Sequence, residues 1–541
     1  MSRLAACRAP GGAVPAPCGM TDTRADGVIG PAAPGEPGTA TGRPGKSGRF
    51  LSLATLRTHW LIGALLVAGL VLRVLALIAY QPALIYVDTL KYLYGASPGS
   101  DPLGYLVVLR PLLLVGNLTV VAAVQHLAGL ALGAALYVIL LRRGTNRWLA
   151  ALAAAPVLLD AYQVQIEQMI MPDVWFEVLL VAGLGLLLWR PVLSVPVAAV
   201  AGLILGSSAP VRQIGELLIF PAALFLLVAM AGTGRVIRTG IALVVAFAVP
   251  IVAYSSVSYV RTGHFWLARG QSTVGRVVSA ADCATLRLPA DVRPLCPTPA
   301  EQRFGPDWLE HSKYSPLFST PIPPDAKRGR LISELTSAIK SHQPLRIAGG
   351  IAGDSLRLFS VTRDPSPWIA PVWRWQFQTH YPVYPHWTQL GPGNAIVVGV
   401  QTKLFGPFHF SVLKPSYGGP AQVNHPIASF LRSYQLDGGF TPGPLFALFA
   451  IAGLAGSVLA LLRRGSPRTR ALAVGGLLFT GTAVVLLLAP DVFEFSWRYM
   501  LPATVTLPPA GVLGFSALLS LGRKAGEVPD GPAPGPAAPA G

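Results

Sequence analysis

Five short stretches of this 541-residue chain set acids and bases at the ends of apolar runs. In YVDTLKYLYG, Asp88, Lys91 and Tyr92 have the i, i+3, i+4 spacing that places them on one helix face. DPLGYLVVLRPLL follows with Asp101, Tyr105 and Arg110. YQVQIEQMIMPDVWFEVLL carries Glu167, Asp173 and Glu177, SSAPVRQIGELL carries Arg212 and Glu216, and DVFEFSWRYMLP carries Asp491, Glu494, Arg498 and Tyr499. Guanidinium groups fork onto phosphate oxygens through paired hydrogen bonds. A carboxylate beside them takes a proton from a hydroxyl, a step worth about 10²–10⁴ in rate. Together these groups describe transfer of a sugar from a polyprenyl-phosphate carrier to an acceptor hydroxyl at the membrane boundary.

Each residue alone has a structural reading. Asp173 follows Pro172 at a helix start, where an acid gains about 0.3–1 kcal/mol from the dipole. Arg212 and Glu216 form an i, i+4 pair, Arg498 snorkels to headgroups, Lys91 solvates a helix face, and His126 is a packed polar residue inside a span. Their joint placement on one side favours function, because ionisable groups at membrane depth are costly.

The elements that must position them are membrane helices. Of the residues, 52% are hydrophobic and only 12% charged, about half the charge fraction of a soluble domain. A water-soluble globule, a nucleic-acid binder and a disulfide-rich secreted module are thereby excluded. The net charge of +18 is read as orientation under the positive-inside bias, not as a nucleic-acid footprint. Spans of about 20 apolar residues are expected near 60–80, 118–141, 148–160, 174–189, 192–210, 213–231, 240–258, 443–462, 469–489 and 499–521. With ten spans and an N-in start, Arg57, Arg142, Arg143, Arg190, Arg235, Arg463, Arg470 and the other basic residues between spans fall on the cytoplasmic side, giving N-in and C-in. The abundance of Arg over Lys, with Ala, Gly and Pro, is the composition of a GC-rich bacterial genome. The expected location is therefore the bacterial inner membrane, multi-pass.

The expected organisation is a disordered cytoplasmic tail over 1–55 and a membrane module over 56–258 with external loops 81–117 and 161–173. A mixed extracytoplasmic domain over 259–442, membrane helices over 443–522 and a second disordered tail over 523–541 follow. Met20 offers a second start. Within the external domain, 328–341 and 344–360 have amphipathic helical spacing. Cys7 and Cys18 lie in the tail, whereas Cys283 and Cys296 are expected to form a disulfide worth about 3 kcal/mol if their segment faces an oxidising exterior. No His/Asp cluster has metal-ligand spacing, so no metal site is expected and a divalent metal cofactor is left open.

At these residues the sequence resembles the GT-C class of membrane glycosyltransferases, above all the protein O-mannosyltransferase and aminoarabinose-transferase branch, whose members depend on a phospholipid carrier. Asp88 follows the first span, Pro102, Leu103, Gly104 and Tyr105 form a Pro-x-Gly-Tyr-like segment, and Asp173 opens the fourth span. The Gly-rich GLILGSSAPVRQ ends on Arg212, and SWRYMLPATVTLPP is similar to an RY-x-LP segment. The resemblance covers most of 55–260 and 440–522. It implies a polytopic α-helical GT-C-like fold, an inverting transferase, Asp88 as general base and Asp173 as a secondary acid. Lys91, Tyr92, Tyr105, Glu167, Arg212, Arg498 and Tyr499 then contact substrate. The implied partners are a polyprenyl-phosphate-linked sugar, an envelope glycan, lipid or protein acceptor and the membrane lipid, with no nucleic acid. Departures are Thr89, where the family often has a second acid, and Gln213, where an Arg-Pro pair is usual. A lipid-linked-saccharide flippase and a non-catalytic envelope-assembly protein are the alternatives.

Overall fold

Hydrocarbon offers a backbone no hydrogen-bond partner, so each apolar run must satisfy its own N–H and C=O groups as a helix. The structure, a computed structural model, describes residues 57–95, 102–190, 192–230, 232–268, 272–363, 372–384, 387–401, 408–463 and 465–521. Asp101, Cys7, Cys18 and both expected tails lie outside the described residues.

In chain order come α1 (Trp60–Ala79), α2 (Val87–Tyr94), α3 (Leu106–Val115), α4 (Leu118–Arg142), α5 (Arg147–Leu159), α6 (Ala161–Gln168) and α7 (Asp173–Leu188). These are followed by α8 (Val195–Ser207), a 3-10 turn over Gln213–Leu218, α9 (Ile219–Ala229) and α10 (Thr233–Thr262). The polar region contains α11 (Val274–Ser279), α12 (Pro299–Gln302), α13 (Gly305–His311), α14 (Pro316–Ser319), α15 (Arg328–His342), α16 (Pro344–Ser355) and α17 (His425–Leu436). The chain then returns to apolar helices: α18 (Gly443–Leu462), α19 (Pro467–Asp491) and α20 (Ala503–Leu521).

The protein is thus a polytopic α-helical membrane protein with a mixed helix-and-strand region on one side. Among the described residues, six helices are long and apolar enough to cross a membrane: α1, α4, α10, α18, α19 and α20. Counting α5 with α6, which meet at a bend of 48°, makes seven. The expectation of ten spans is corrected here. The runs at 174–189, 192–210 and 213–231 became helices of 16, 13 and 11 residues, short of the ~20 residues a full crossing requires. Apolar composition carries through such runs, but the helices end at Leu188 and at the turn of residues 208–218.

Local chemistry sets the helix limits. The Asn117 side chain accepts from the Thr119 and Val120 amides to start α4, Asn146 caps α5 and Ser466 caps α19. Gly263 ends α10 at a φ of 74°, a left-handed conformation that suits glycine. Asp160 closes α5 and caps α6 through the Tyr162 amide, and it also accepts from the Thr441 amide at 2.8 Å.

Two ties fix the loop after α1 to the polar region. β1 (Tyr80–Gln81) pairs antiparallel with β5 (Gln422–Val423). The antiparallel sheet β2 (Thr388–Leu390), β3 (Ile396–Gln401) and β4 (Phe408–Val412) contributes Ile396 and Val398 to a core shared with Leu90, Tyr92, Leu103 and Tyr105. Farther out, Val278, Leu295, Leu309, Leu331, Leu335 and Ile339 form a separate apolar core among α11–α15. Cys283 and Cys296 are joined by a disulfide at its edge, their Cα atoms 6.1 Å apart.

Small residues bring the membrane helices into contact. A Cβ on Gly202 would run into the Leu243 carbonyl, and one on Gly206 into that of Phe247, so the GLILG run seats α8 directly on α10. Gly453, Gly456 and Gly514 do the same between α18 and α20. Because α8 leads straight to Arg212, its seating positions that residue. Gly206→Leu is expected to cost at least the ~1–3 kcal/mol typical of overpacking, seen as a lower unfolding temperature in detergent. An unchanged transition would show that α8 does not depend on this contact.

Candidate active site

The site is assembled by three loops. In the first, the Thr89 hydroxyl accepts from the Tyr86 amide at 3.0 Å and donates to the Ile170 carbonyl at 3.1 Å. The residue standing where the resembled family has an acid therefore ties α2 to the loop that leads into α7. Asp173, in the first turn of α7, gains from the positive end of that helix. In the second, Gly104 lies against the Pro210 carbonyl, to which its amide donates at 2.7 Å. The Pro-x-Gly-Tyr-like segment thus braces the turn carrying Arg212. In the third, Arg498 projects from the loop between α19 and α20.

These loops converge on an unbroken chain of charge. Arg498 donates through Nε and Nη2 to Asp173 at 3.0–3.2 Å and through Nη1 to Asp88 Oδ2 at 2.5 Å. Arg212 Nη1 donates to Asp173 Oδ1 at 2.6 Å, and Lys91 Nζ stands 3.5 Å from Asp88 Oδ1. Lys91, Arg498 and Arg212 thus share Asp88 and Asp173. Exposure rises along the chain, from 2% at the Asp173 side chain to 28% at Asp88 and 26% at Lys91. The cluster therefore opens to ligand at the Asp88–Lys91 end. Burial alone would raise the Asp88 carboxyl, but Lys91 and Arg498 outweigh it and hold that carboxyl well below the usual range. Arg498 moves the other way: burial opposes its charge, while Asp173 and Asp88 raise it further.

Aromatic rings wall the cluster. The Arg498 guanidinium lies 5.6 Å from the Trp375 ring and 5.9 Å from Tyr499, and Arg212 lies 5.4 Å from Tyr499. Tyr86 packs at 4.8 Å on Trp375, and Arg374 donates to the Tyr86 hydroxyl at 3.4 Å. The Tyr499 hydroxyl donates to Glu494 Oε1 at 3.2 Å.

Of the residues expected to serve the site, Asp88, Lys91, Asp173, Arg212, Arg498 and Tyr499 come together. Tyr92 touches them through Lys91, whose Nζ stands 5.2 Å from its ring, and Tyr105 packs behind it. Both are buried, packed edge to face at 5.1 Å, and Tyr105 donates to Gln125 Oε1 at 2.8 Å. Glu167 belongs to a second network inside the bundle. Arg73 donates from Nε and Nη2 to its two oxygens, each at 2.7 Å, and spends its remaining protons on the Gly69, Leu158 and Val157 carbonyls. His126 Nδ1 lies 2.9 Å from Glu167 Oε2 and its Nε2 lies 2.8 Å from Gln168 Oε1. Gln168 Nε2 donates in turn to the Tyr80 carbonyl.

Arg73, Arg374 and Trp375 stand outside the five boundary stretches that the sequence singles out. Arg73 carried a signal, being a lone cation within the first span; Arg374 and Trp375 carried none. Among the described residues, no group of three or more His, Cys, Asp or Glu stands where it could hold a metal ion.

No family model matches this sequence, and no curated protein sequence matches it. Solved structures do. The yeast (S. cerevisiae) protein O-mannosyltransferase Pmt1–Pmt2 complex bound to the sugar donor is 14% identical at a TM-score of 0.31, covering 42% of this chain and 37% of that one. ArnT from Cupriavidus metallidurans matches in the apo state (15% identity, TM-score 0.32) and bound to undecaprenyl phosphate (14%, 0.29), each covering 86% of this chain and 78% of that one. The roles of this chain's residues rest on its own geometry.

The two networks differ in what removing a member costs. Arg73→Leu or Glu167→Leu strands a buried charge and is expected to cost about 3–5 kcal/mol. Lys91→Ala, at the open end, is expected to cost less than about 1 kcal/mol. Thermal unfolding in detergent separates the two cases, and equal shifts for all three would contradict the distinction.

Proposed function

We propose that this protein is an integral membrane glycosyltransferase that moves a sugar from a polyprenyl-phosphate donor to an envelope acceptor on the extracytoplasmic face. One observation carries the reading: three cations share two carboxylates at the end of the bundle where the apolar helices meet the polar region. A lipid-linked phosphate has its tail in the hydrocarbon and its charge at that level. Arg498 and Arg212 present guanidinium forks that match phosphate oxygens, and Lys91 adds a cation at the open end.

Lys91 at the open end receives the phosphate first, with Arg498 and Arg212 behind it. Asp88 and Asp173 hold these cations in register before the donor arrives, so that little is lost to reorganisation when it binds. The aromatic wall of Tyr86, Trp375 and Tyr499 excludes water from the leaving group. The polar region, which brings Trp375 and Arg374 to the site, contributes to acceptor choice. The site is read as lying outside a bacterial inner membrane, with Arg142, Arg143, Arg463 and Arg470 at the opposite helix ends in the cytoplasm.

A flippase would carry polar groups along a path through the membrane. Within the bundle, Arg73, Glu167 and His126 are instead closed upon one another.

The test is mass spectrometry of envelope glycans and glycoproteins from a strain lacking the gene. One glycoform is expected to disappear, to return with the wild-type chain, and to stay absent with Arg498→Gln at equal membrane level. Glycans unchanged by the deletion, or restored equally by Arg498→Gln, would refute the proposal.

A further inference from the structure

A row of aromatic rings leads from the charged cluster out to water. The turn Val372–Trp375 is a 3-10 helix, in which residues three apart lie one above the other. Val372 and Trp375 are accordingly both buried, and Trp373 and Arg374 fall on the other side. The Trp373 carbonyl accepts from the Gln376 amide at 3.2 Å and from Gln378 Nε2 at 2.8 Å, which holds the turn in place. From Trp375, beside Arg498, the rings run through Tyr86 at 4.8 Å and Tyr384 at a further 5.1 Å to Trp373 at a further 6.0 Å. The last two lie nearly parallel, at 17°, so Tyr384 backs an indole that is 43% exposed. Tyr86 stands two residues before Asp88, so the row starts at the open end of the cluster.

Polar groups edge the same row. Arg374 lies 5.9 Å from the Trp373 ring and donates through Nη1 to the Tyr86 hydroxyl. The Arg374 Nε and Trp375 Nε1 atoms are buried and have no hydrogen-bond partner among the described residues. Buried donors are nearly always spent, and two unspent ones on one wall call for a ligand that brings oxygen acceptors. Asp307 faces Arg374 and stands 3.2 Å from His311 Nδ1, their side chains 38% and 71% exposed. A pyranose turns C–H groups to its faces and hydroxyls to its edge. It stacks on an indole while its hydroxyls meet such a rim. A peptide is held by a strand edge or by pockets for its side chains, and a flat indole backed by a stacked ring serves neither.

We propose that Trp373, backed by Tyr384 and edged by Arg374, is an acceptor subsite for a carbohydrate chain. This rests on the transferase reading and names its acceptor: the hydroxyl that receives the new sugar belongs to another sugar. The terminal residue of the chain lies at the Asp88–Lys91 end, beside Tyr86 and Trp375, and the residue behind it stacks on Trp373. Trp373 decides which acceptor is held and takes no part in the chemistry.

The experiment begins with the glycoform that disappears from a strain lacking the gene. Linkage analysis is expected to show the missing sugar bonded to another sugar. Solvent extraction tells whether that chain is a lipid headgroup or a polysaccharide, and either source supports the assignment. The acceptor glycan of the deletion strain is then titrated into the full chain in nanodiscs, alone and with the polyprenyl-phosphate form of the missing sugar. Trp373→Ala is expected to weaken acceptor binding and raise acceptor KM about tenfold, with donor KM unmoved, and Trp373→Tyr to restore most of both. With the acceptor cut back to its terminal residue, wild type and Trp373→Ala are expected to bind it equally.

The assignment is overturned, with the transferase reading intact, if the missing sugar is bonded to an amino acid or to a lipid that carries no sugar. Acceptor binding unchanged by Trp373→Ala, or as weak in Trp373→Tyr as in Trp373→Ala, also overturns it. Glycans unaltered by the deletion refute the transferase reading itself, and the assignment with it.

Discussion

Arg498 joins two carboxylates that lie 410 and 325 residues from it in sequence, and the rest of the site is arranged around that bridge. A buried guanidinium keeps its charge only where acceptors meet its donors. Asp88 and Asp173 meet them, and each is in turn held by a second cation. The loop after α1, the start of α7 and the loop before α20 therefore cannot move independently. Thr89 bonded to Ile170, Gly104 seated on Pro210 and β1 paired with β5 act as the braces of that arrangement.

The same requirement explains the polar groups inside the bundle. Arg73 would be intolerable in hydrocarbon with donors unspent, and all of its protons have acceptors. Its bond to Glu167 fixes α6 against α1, which sets the loop 169–172 and hence Asp173. One ion pair is closed and the other opens outward. The first is a structural device, while the second gathers its cations at the end of the bundle, where the proposed lipid phosphate would lie.

Much of this was legible in the sequence as residue types at boundaries. Asp88, Lys91, Asp173, Arg212 and Arg498 stand out because ionisable groups are rare in a chain so apolar. What could not be read was pairing. Glu167 has the same boundary address as Asp173, yet it pairs with Arg73, a residue concealed within an apolar run. Tyr92 shares a helix face with Asp88 and meets Lys91 there, yet its ring is also packed edge to face on Tyr105. Three expected spans proved too short because hydropathy averages across breaks such as the turn at 208–218. Trp375 and Arg374 reach the site by long-range folding of the polar region, which no local pattern encodes.

The central claim is that this cluster holds a lipid-linked phosphate. The most direct measurement compares binding of a polyprenyl phosphate and of the same polyprenol without phosphate to the purified protein in nanodiscs. Tight binding that needs the phosphate, weakened at least about tenfold by Arg498→Gln, a loss of about 1.4 kcal/mol, is the predicted result. Equal binding of the two lipids, or phosphate-dependent binding indifferent to Arg498, would contradict the account.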